Sequence, residues 1–456
     1  MEIFERRVTL PASAQAVFDW HARPGAFERL VPPWEQVELI SQTGGIRDGA
    51  RVEVQIRIGP IRKRWTAEHC GYVPNQQFQD IQRGGPFAHF EHTHRISPQS
   101  EQSCELEDHI EYCLPLGWLG RILGGRYVRS KLDRSFRYRH NITFHDISAH
   151  ARQEGQQSMK VLVTGATGLV GSALVPFLTT GGHEVFRLTR SNPVLANDIQ
   201  WNPEAGELPR ARLEGLDGVI HLAGENIAAT RWNAKVKERL RRSRVDATRL
   251  LCETLAKLER PPKTLVCASA IGYYGDRGAE ILTESASPGT GFLADLCRDW
   301  EGACEPARQQ GMRVVNLRIG VVLSPKGGGL AQMLTPFRMG VGGVIGSGRQ
   351  YWSWIAIDDV VGALHYCLTN PAISGPVNGT APNPVTNYEF TKTLGTVLGR
   401  PTIFPMPAFA AKIALGEMAD DLLLGSARVM PYRLSEFNYQ FRQPMLEGAL
   451  KHLLGK

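Results

Sequence analysis

A chain of 456 residues is longer than one ordinary domain, so two or three domains are expected. Hydrophobic content of 42% and charged content of 21% are those of a soluble globular protein, and no apolar run reaches the roughly 18 residues of a membrane span. A net charge of +7 is mild for this length and implies no nucleic-acid partner. Eight scattered cysteines without CxxC pairs, and no leader-like opening, argue for reduced thiols in a cytoplasmic protein.

Residues 1–150 read as a first domain. Phe4–Leu10 alternates like a strand, and Pro11-Ala-Ser-Ala-Gln-Ala-Val-Phe18 opens a helix that continues to about Trp20. Further strands are expected around Ser41 and over Gly49–Ile58, Arg64–Val73, Gln77–Arg83, Ala88–Ile96 and Ser103–Tyr112. After a break at Gly124-Gly125, a basic amphipathic helix is expected from about Tyr127 to Tyr138. Its Arg126, Arg129, Lys131, Arg134, Arg137 and Arg139 read as a solvated face, with contact to acidic lipid as the alternative. His92 and His94 share one face of a strand while His89 points the other way. No cysteine or clear carboxylate stands at ligand spacing, so they read as polar residues on a half-exposed strand and no metal is assigned.

The order of short helix, antiparallel strands and long terminal helix is that of an α+β domain. With Pro11–Trp20 and Pro32-Pro-Trp34 it resembles the START-like, or polyketide cyclase and lipid-transport-like, helix-grip family. The resemblance implies an apolar cavity between a curved sheet and the long helix. Two readings stand: a bound hydrophobic ligand, or a cavity filled by the domain's own side chains. Residues 151–158, within the polar run Ser148–Ser158, read as a linker.

Met159 opens the second half. Lys160–Thr164 is a short apolar, β-branched run expected as a buried parallel strand. Gly165-Ala-Thr167-Gly168-Leu169-Val170-Gly171 follows at once, then a helical pattern to Leu178, a Gly181-Gly182 stop and a second strand over His183–Leu188. Strand, glycine turn, helix, strand is the frame in which such glycines cradle a pyrophosphate at a helix N-terminus. The GxxGxxG spacing resembles the extended, epimerase-like branch of the short-chain dehydrogenase/reductase superfamily. The expected architecture over residues 159–404 is therefore α/β, a Rossmann-type doubly wound parallel sheet with a small substrate lobe.

After the second strand stand Thr189 and Arg190, where a carboxylate would select NAD and an arginine pairs with the 2′-phosphate of NADP. The resemblance with Arg190 implies NADP, against the alternative of an exposed loop arginine. Asp217-Gly-Val-Ile-His221-Leu222-Ala223-Gly224 is similar to the family's cofactor-lining strand. The following helix carries Lys235, Lys237, Arg239, Arg241, Arg242 and Arg244 around all its faces without interleaved aromatics, which speaks against nucleic acid. Ser243-Arg244 matches the family pattern, making Arg244 a candidate phosphate or ribose contact.

Thr264–Ser269 followed by Ala-Ile-Gly-Tyr273-Tyr274-Gly275 resembles the superfamily's catalytic-serine strand. Typical members carry Tyr-x-x-x-Lys roughly 23 residues further on; this chain has Phe292-Leu-Ala-Asp-Leu296. A phenol beside an ammonium transfers protons because the lysine lowers its pKa, and phenylalanine cannot replace it. Ser269, Tyr273 and Tyr274 are the remaining candidates for chemistry. The run Arg313–Leu323 reads as a strand whose Val322 borders the nicotinamide, with Gly327-Gly-Gly329 as flexible turns beyond it. Residues 405–456 resemble the short, mostly helical tail domain of epimerase-family proteins. The sequence thus points to an NADP(H)-dependent oxidoreductase or epimerase-like enzyme for an unidentified small molecule, with a catalytically silent NADP(H) sensor or ligand-binding protein as the rival. It is silent on oligomeric state.

Overall fold

The computed structural model describes residues 1–151 and 158–456. The chain divides into two compact units: Met1–Gln157 with Pro176–Gly182 and Gly455, and Ser158–Val175 with His183–Leu454 and Lys456. No helix among the described residues is long and apolar enough to cross a membrane.

The first unit is an antiparallel sheet of seven strands: β1 (Glu2–Leu10), β2 (Val37–Thr43), β3 (Arg51–Ile58), β4 (Ile61–Val73), β5 (Gln77–Gly84), β6 (His89–Ser100) and β7 (Ser103–Cys113). Their spatial order is β1-β7-β6-β5-β4-β3-β2, a meander whose first strand closes onto the last. Between β1 and β2 lie α1 (Ala14–Ala22), whose Ser13 side chain caps the helix by accepting from the Ala16 N–H, and the short α2 (Ala26–Leu30). Strict alternation along β7 buries Cys104, Leu106, Asp108, Ile110 and Tyr112 on one face. That face meets Phe4, Phe90 and Phe136 in one cluster, and Leu10, Phe18, Trp20 and Phe78 in another.

The terminal helix α3 runs over Trp118–Ala151, far longer than the stretch of Tyr127–Tyr138 expected from sequence. Gly124 and Gly125 lie inside it. Two glycines cost a helix roughly 1 kcal/mol each, and the burial of Phe136, Tyr138, Ile142 and Ile147 outweighs that. The helix takes up Ser148–Ala151 of the polar run, including the first residue of the expected linker; 152–157 lie outside the described residues. Nor is its basic face wholly solvated. Arg126, Arg129 and Arg137 are exposed, but Lys131 pairs with Glu35 at 3.0 Å and the Arg139 guanidinium covers the Phe136 ring at 4.8 Å.

The second unit is built on a seven-stranded parallel sheet. Its strands are β8 (Lys160–Thr164), β9 (Glu184–Thr189), β10 (Asp198–Gln200), β11 (Gly218–His221), β12 (Thr264–Ala270) and the strands Arg313–Ile319 and Gly375–Gly379. The order is β10-β9-β8-β11-β12, then Arg313–Ile319 and Gly375–Gly379. The chain winds outward in both directions from β8, so the crevice beyond its C-terminal end is the place where such sheets take a ligand. Helix α4 (Gly171–Thr180) follows the glycine turn. Helices α5 (Ala234–Arg241), α6 (Ala247–Ala256) and α7 (Phe292–Gly302) come later, a π-helical turn at Arg242–Asp246 joining α5 to α6.

The expected strand Arg313–Leu323 is two strands, split at Gly320, where a Cβ would meet the Ser353 carbonyl at 2.5 Å. Of the Gly327–Gly329 turn, Gly328 and Gly329 begin the helix Gly328–Arg338 instead. The helix Asn387–Leu398 opens on a reciprocal cap between Thr386 and Glu389 and packs Phe390 and Leu394 against Leu446, Leu450 and Leu453. The tail therefore shares the lobe's core. Asp359 fastens it by accepting from the Arg442 and Gln443 N–H groups at 2.7 and 3.0 Å.

Candidate functional site

The crevice beyond β8 is a cavity of about 1380 Å³ bordered by Gly165–Gly168, Thr189, Arg190 and Leu222–Gly224. Gly165 sits at φ +67°, and a Cβ there would meet the Leu222 carbonyl oxygen at 2.7 Å; a Cβ at Gly171 would meet the Gly165 oxygen at 2.2 Å. Only glycine fits these two places. The N–H groups of Thr167, Leu169 and Val170 find no acceptor among the described residues. A turn of open N–H groups ahead of α4 suits a pyrophosphate. Leu169 and Val170 themselves turn their side chains to the lobe's core, as does Val322.

The opposite rim, Leu222–Gly224, is held by a buried chain of hydrogen bonds. The Thr164 hydroxyl accepts from the Leu222 and Ala223 N–H groups, both at 3.0 Å, so its own proton goes to His221 Nδ1 at 2.7 Å. The His221 Nε2–H then donates to Thr248 at 2.9 Å, and Trp300 donates to the same hydroxyl. Burial pushes His221 down to about 4, so the ring is neutral in this role. At the other end of β8, Asp217 accepts from the Lys160 N–H at 2.7 Å. The Asp-x-x-x-His motif is thus a pair of pins that register β8 against β11.

Arg190 is exposed at the cavity edge with no ion pair among the described residues. The acid nearest in sequence that also lines the cavity, Asp198, is already engaged by Arg187 through two hydrogen bonds of 2.7 and 2.9 Å. Lys235, Arg239 and Arg242, spaced i, i+4, i+7, bring one face of the basic helical stretch to the cavity. That spacing was present in the sequence but hidden among six basic residues. Arg244 takes another course. Its guanidinium donates to the Glu225 carbonyl at 2.7 Å and the Leu240 carbonyl at 3.3 Å and lies over Trp300, outside the cavity lining. Arg244 thus braces the loop that follows β11, beside the cavity in which the phosphate or ribose contact is expected.

The candidates for chemistry divide. Ser269 is buried and donates to Glu301 Oε1 at 2.7 Å. Arg318 grips both oxygens of the same carboxylate at 2.8 and 2.9 Å and donates to the Tyr274 hydroxyl at 2.9 Å. Tyr274, with no exposed surface, donates in turn to Asn378 at 2.7 Å. Burial raises the Tyr274 pKa, and Arg318 only partly offsets it, so the phenol stays neutral. Each of these side chains is hydrogen-bonded within the network, and neither Ser269 nor Tyr274 lines the cavity beyond β8. Tyr273 is partly exposed, its ring stacked on the Arg318 guanidinium at 3.4 Å. Phe292 and Leu296 share one face of α7: Phe292 packs edge-on to Trp232 at 5.1 Å with the Lys237 ammonium 5.3 Å from its ring, and Leu296 is buried with Trp300.

In the first unit, a cavity of about 760 Å³ lies within the helix-grip fold, lined by apolar side chains such as Val54, Trp65, Phe87 and Phe90. His92 and His94 line it too, and both are buried rather than half-exposed. Carboxylates do partner them: Asp80 and Asp108, supplied by the neighbouring strands β5 and β7. The expectation of unpartnered polar residues on a half-exposed strand is corrected, since a face shared along one strand says nothing of what the next strand brings opposite.

A βαβ glycine turn at the switch point of a parallel sheet defines a Rossmann-type nucleotide-binding protein. Residues 161–378 match the NAD dependent epimerase/dehydratase family, 10–135 the polyketide cyclase/dehydrase and lipid transport family, and 406–453 a domain of unknown function. An epimerase family protein of Mycobacterium bovis is 45% identical over 290 residues, 64% of this chain and 96% of its own length. The crystal structure of a protein described as the nucleoside-diphosphate sugar epimerase from Corynebacterium glutamicum is 33% identical. It covers 99% of this chain and 90% of its own, with a TM-score of 0.82. The human epimerase family protein SDR39U1, solved with NADPH, is 36% identical over 65% of this chain and 99% of its own, with a TM-score of 0.61. The chain belongs to the epimerase family.

Proposed function

We propose that the second unit binds NADP(H) in the crevice beyond β8 and acts as an oxidoreductase or epimerase-like enzyme on a small molecule. The observation that carries this reading is Arg190 at the cavity edge without an ion pair among the described residues, while Asp198, the cavity acid nearest it in sequence, is engaged by Arg187. An arginine so placed suits a 2′-phosphate. The NADPH in the human relative supports the same choice. Gly165–Gly168 would hold the pyrophosphate, with Lys235 at the cavity edge; Arg239 and Arg242 are paired there with Glu225 and Glu238. When bound, NADP(H) supplies hydride chemistry. The Corynebacterium relative makes nucleotide sugars the first substrates to test.

Calorimetry on the full chain should show NADPH binding more tightly than NADH. Arg190→Ala should weaken NADPH by about 10- to 100-fold and leave NADH unchanged, as loss of one charge-assisted contact requires. Equal affinities for the two nucleotides would remove the assignment.

A second reading, a silent NADP(H) sensor, is favoured by the closed network around Ser269 and Tyr274 and the apolar side chains of Phe292 and Leu296. It is distinguished by tight NADPH binding without turnover across a library of nucleotide sugars and small carbonyl compounds. The first unit's apolar cavity supports the binding of a hydrophobic ligand there.

A further inference from the structure

The inner face of the first unit's sheet is largely apolar, with buried polar residues on β4 (His69), β6 and β7 beside Asp80 of β5. Along β6 the buried residues include Phe90, His92, His94 and Ile96; along β7 they are Leu106, Asp108 and Ile110. Strand register sets Asp80 directly opposite His92 and Asp108 directly opposite His94. Two hairpins therefore bring two imidazoles and two carboxylates into one patch.

Within this patch, one donor atom each from Asp80, His92 and His94 lies within 4.8 Å of the other two. Asp80 Oδ1 stands 3.3 Å from His92 Nδ1 and 3.7 Å from His94 Nε2. Nitrogen and oxygen ligands at ordinary bond lengths around a tetrahedral ion stand about 3.3–3.5 Å apart, so small shifts would close the set on a metal. The remaining His92 nitrogen, Nε2, hydrogen-bonds Asp108 Oδ1 at 2.9 Å, while His94 Nδ1 lies 2.7 Å from the same oxygen outside hydrogen-bond geometry. The second Asp108 oxygen meets His140 Nε2 of α3 at 2.5 Å. A carboxylate behind the imidazoles is the usual device for fixing the tautomer and direction of metal-binding histidines. Asp80, His92 and His94 line the cavity, whereas Asp108 and His140 do not. The donors face the cavity and the support stands behind them.

We propose that Asp80, His92 and His94 bind one divalent transition-metal ion in the wall of the first unit's cavity, with Asp108 and His140 as positioning residues. Two nitrogens and one carboxylate oxygen suit a borderline cation such as Zn²⁺, Fe²⁺ or Co²⁺. Three protein ligands leave a coordination position toward the cavity, where an oxygen atom of an otherwise apolar ligand can bind. The site is independent of the nucleotide assignment for the second unit.

The test uses the full chain, stripped with a chelator and titrated with Co²⁺ alone. One equivalent per chain is expected, with visible d–d absorption of a nitrogen and oxygen site that Zn²⁺ abolishes. Asp108→Asn should weaken binding about 10- to 100-fold. His92→Ala with His94→Ala should abolish it, and His89→Ala, on the same strand but outside the cluster, should leave it intact. Circular dichroism checks that each variant is folded, and Asp80→Asn replaces the histidine variants if they are not. The proposal is overturned by a wild-type chain that takes up no stoichiometric Co²⁺ or Zn²⁺. It is equally overturned by Co²⁺ binding that survives in a folded variant lacking ligands, or by sulfur-to-metal charge-transfer bands that place the ion on cysteines.

Discussion

Each unit holds a cluster of charged side chains in its interior, and these two clusters differ in what they face. In the second unit, Glu301 and Arg318 satisfy each other and recruit Ser269, Tyr274 and Asn378, with no arm left for a ligand. In the first, Asp80, His92 and His94 border a cavity while Asp108 and His140 close the rear. Burial and unusual charge are common to both; access is not. The Glu301 and Arg318 cluster is hydrogen-bonded within itself, and the Asp80, His92 and His94 cluster borders a cavity.

The comparison breaks first at Glu301. If the cluster is closed, Glu301→Ala strands Arg318 and should cost about 3–5 kcal/mol, read as a lower unfolding midpoint of the second unit. A loss below about 1 kcal/mol would show that water reaches the arginine. Restoring the usual pair by Phe292→Tyr with Leu296→Lys sharpens the same point. Leu296 is 3% exposed in an apolar cluster, so an ammonium there lacks both water and a carboxylate. The expected outcome is a destabilisation of several kcal/mol rather than a fast enzyme. A well-folded, rapidly turning-over double variant would mean that α7 shifts to expose this face.

The smallest effect concerns His221, held neutral near the cavity rim with its pKa pushed down to about 4 by burial. Because the folded pKa lies below the unfolded one, the unfolded chain binds more protons between the two values. Stability from this residue is therefore complete above about pH 6.5 and is lost as the pH falls toward 4. His221→Gln should flatten that slope, measured by urea unfolding at stepped pH, while lowering stability at pH 7 by about 1–3 kcal/mol through the broken chain to Thr164 and Thr248. An unchanged slope would show that the ring is solvated and not part of the rim's support.

Much of the second unit was legible because its signals are local. A strand, a glycine turn and a helix follow each other within Lys160–Thr180, and Gly168 and Gly171 answer to contacts with Gly165 in the same turn. The β-strands of the first unit were legible for the same reason, through alternation alone. Helix α3 was misjudged because local propensity at Gly124-Gly125 was overridden by burial further along the same helix. Ser269 and Tyr274 resembled catalytic residues in sequence, but their partners, Glu301, Arg318 and Asn378, stand 32, 44 and 104 residues away along the chain.

The sequence by itself determined the periodicities, the nucleotide turn and the arginine after β9, since all depend on neighbours within one or two elements. Only the tertiary structure decided which charges are shut in and which face a cavity. Asp80, Asp108 and His140 join His92 and His94 through the register of three strands and the docking of one helix. That register is set by the alternating apolar stripe of every strand at once, so no single stretch of sequence announces it.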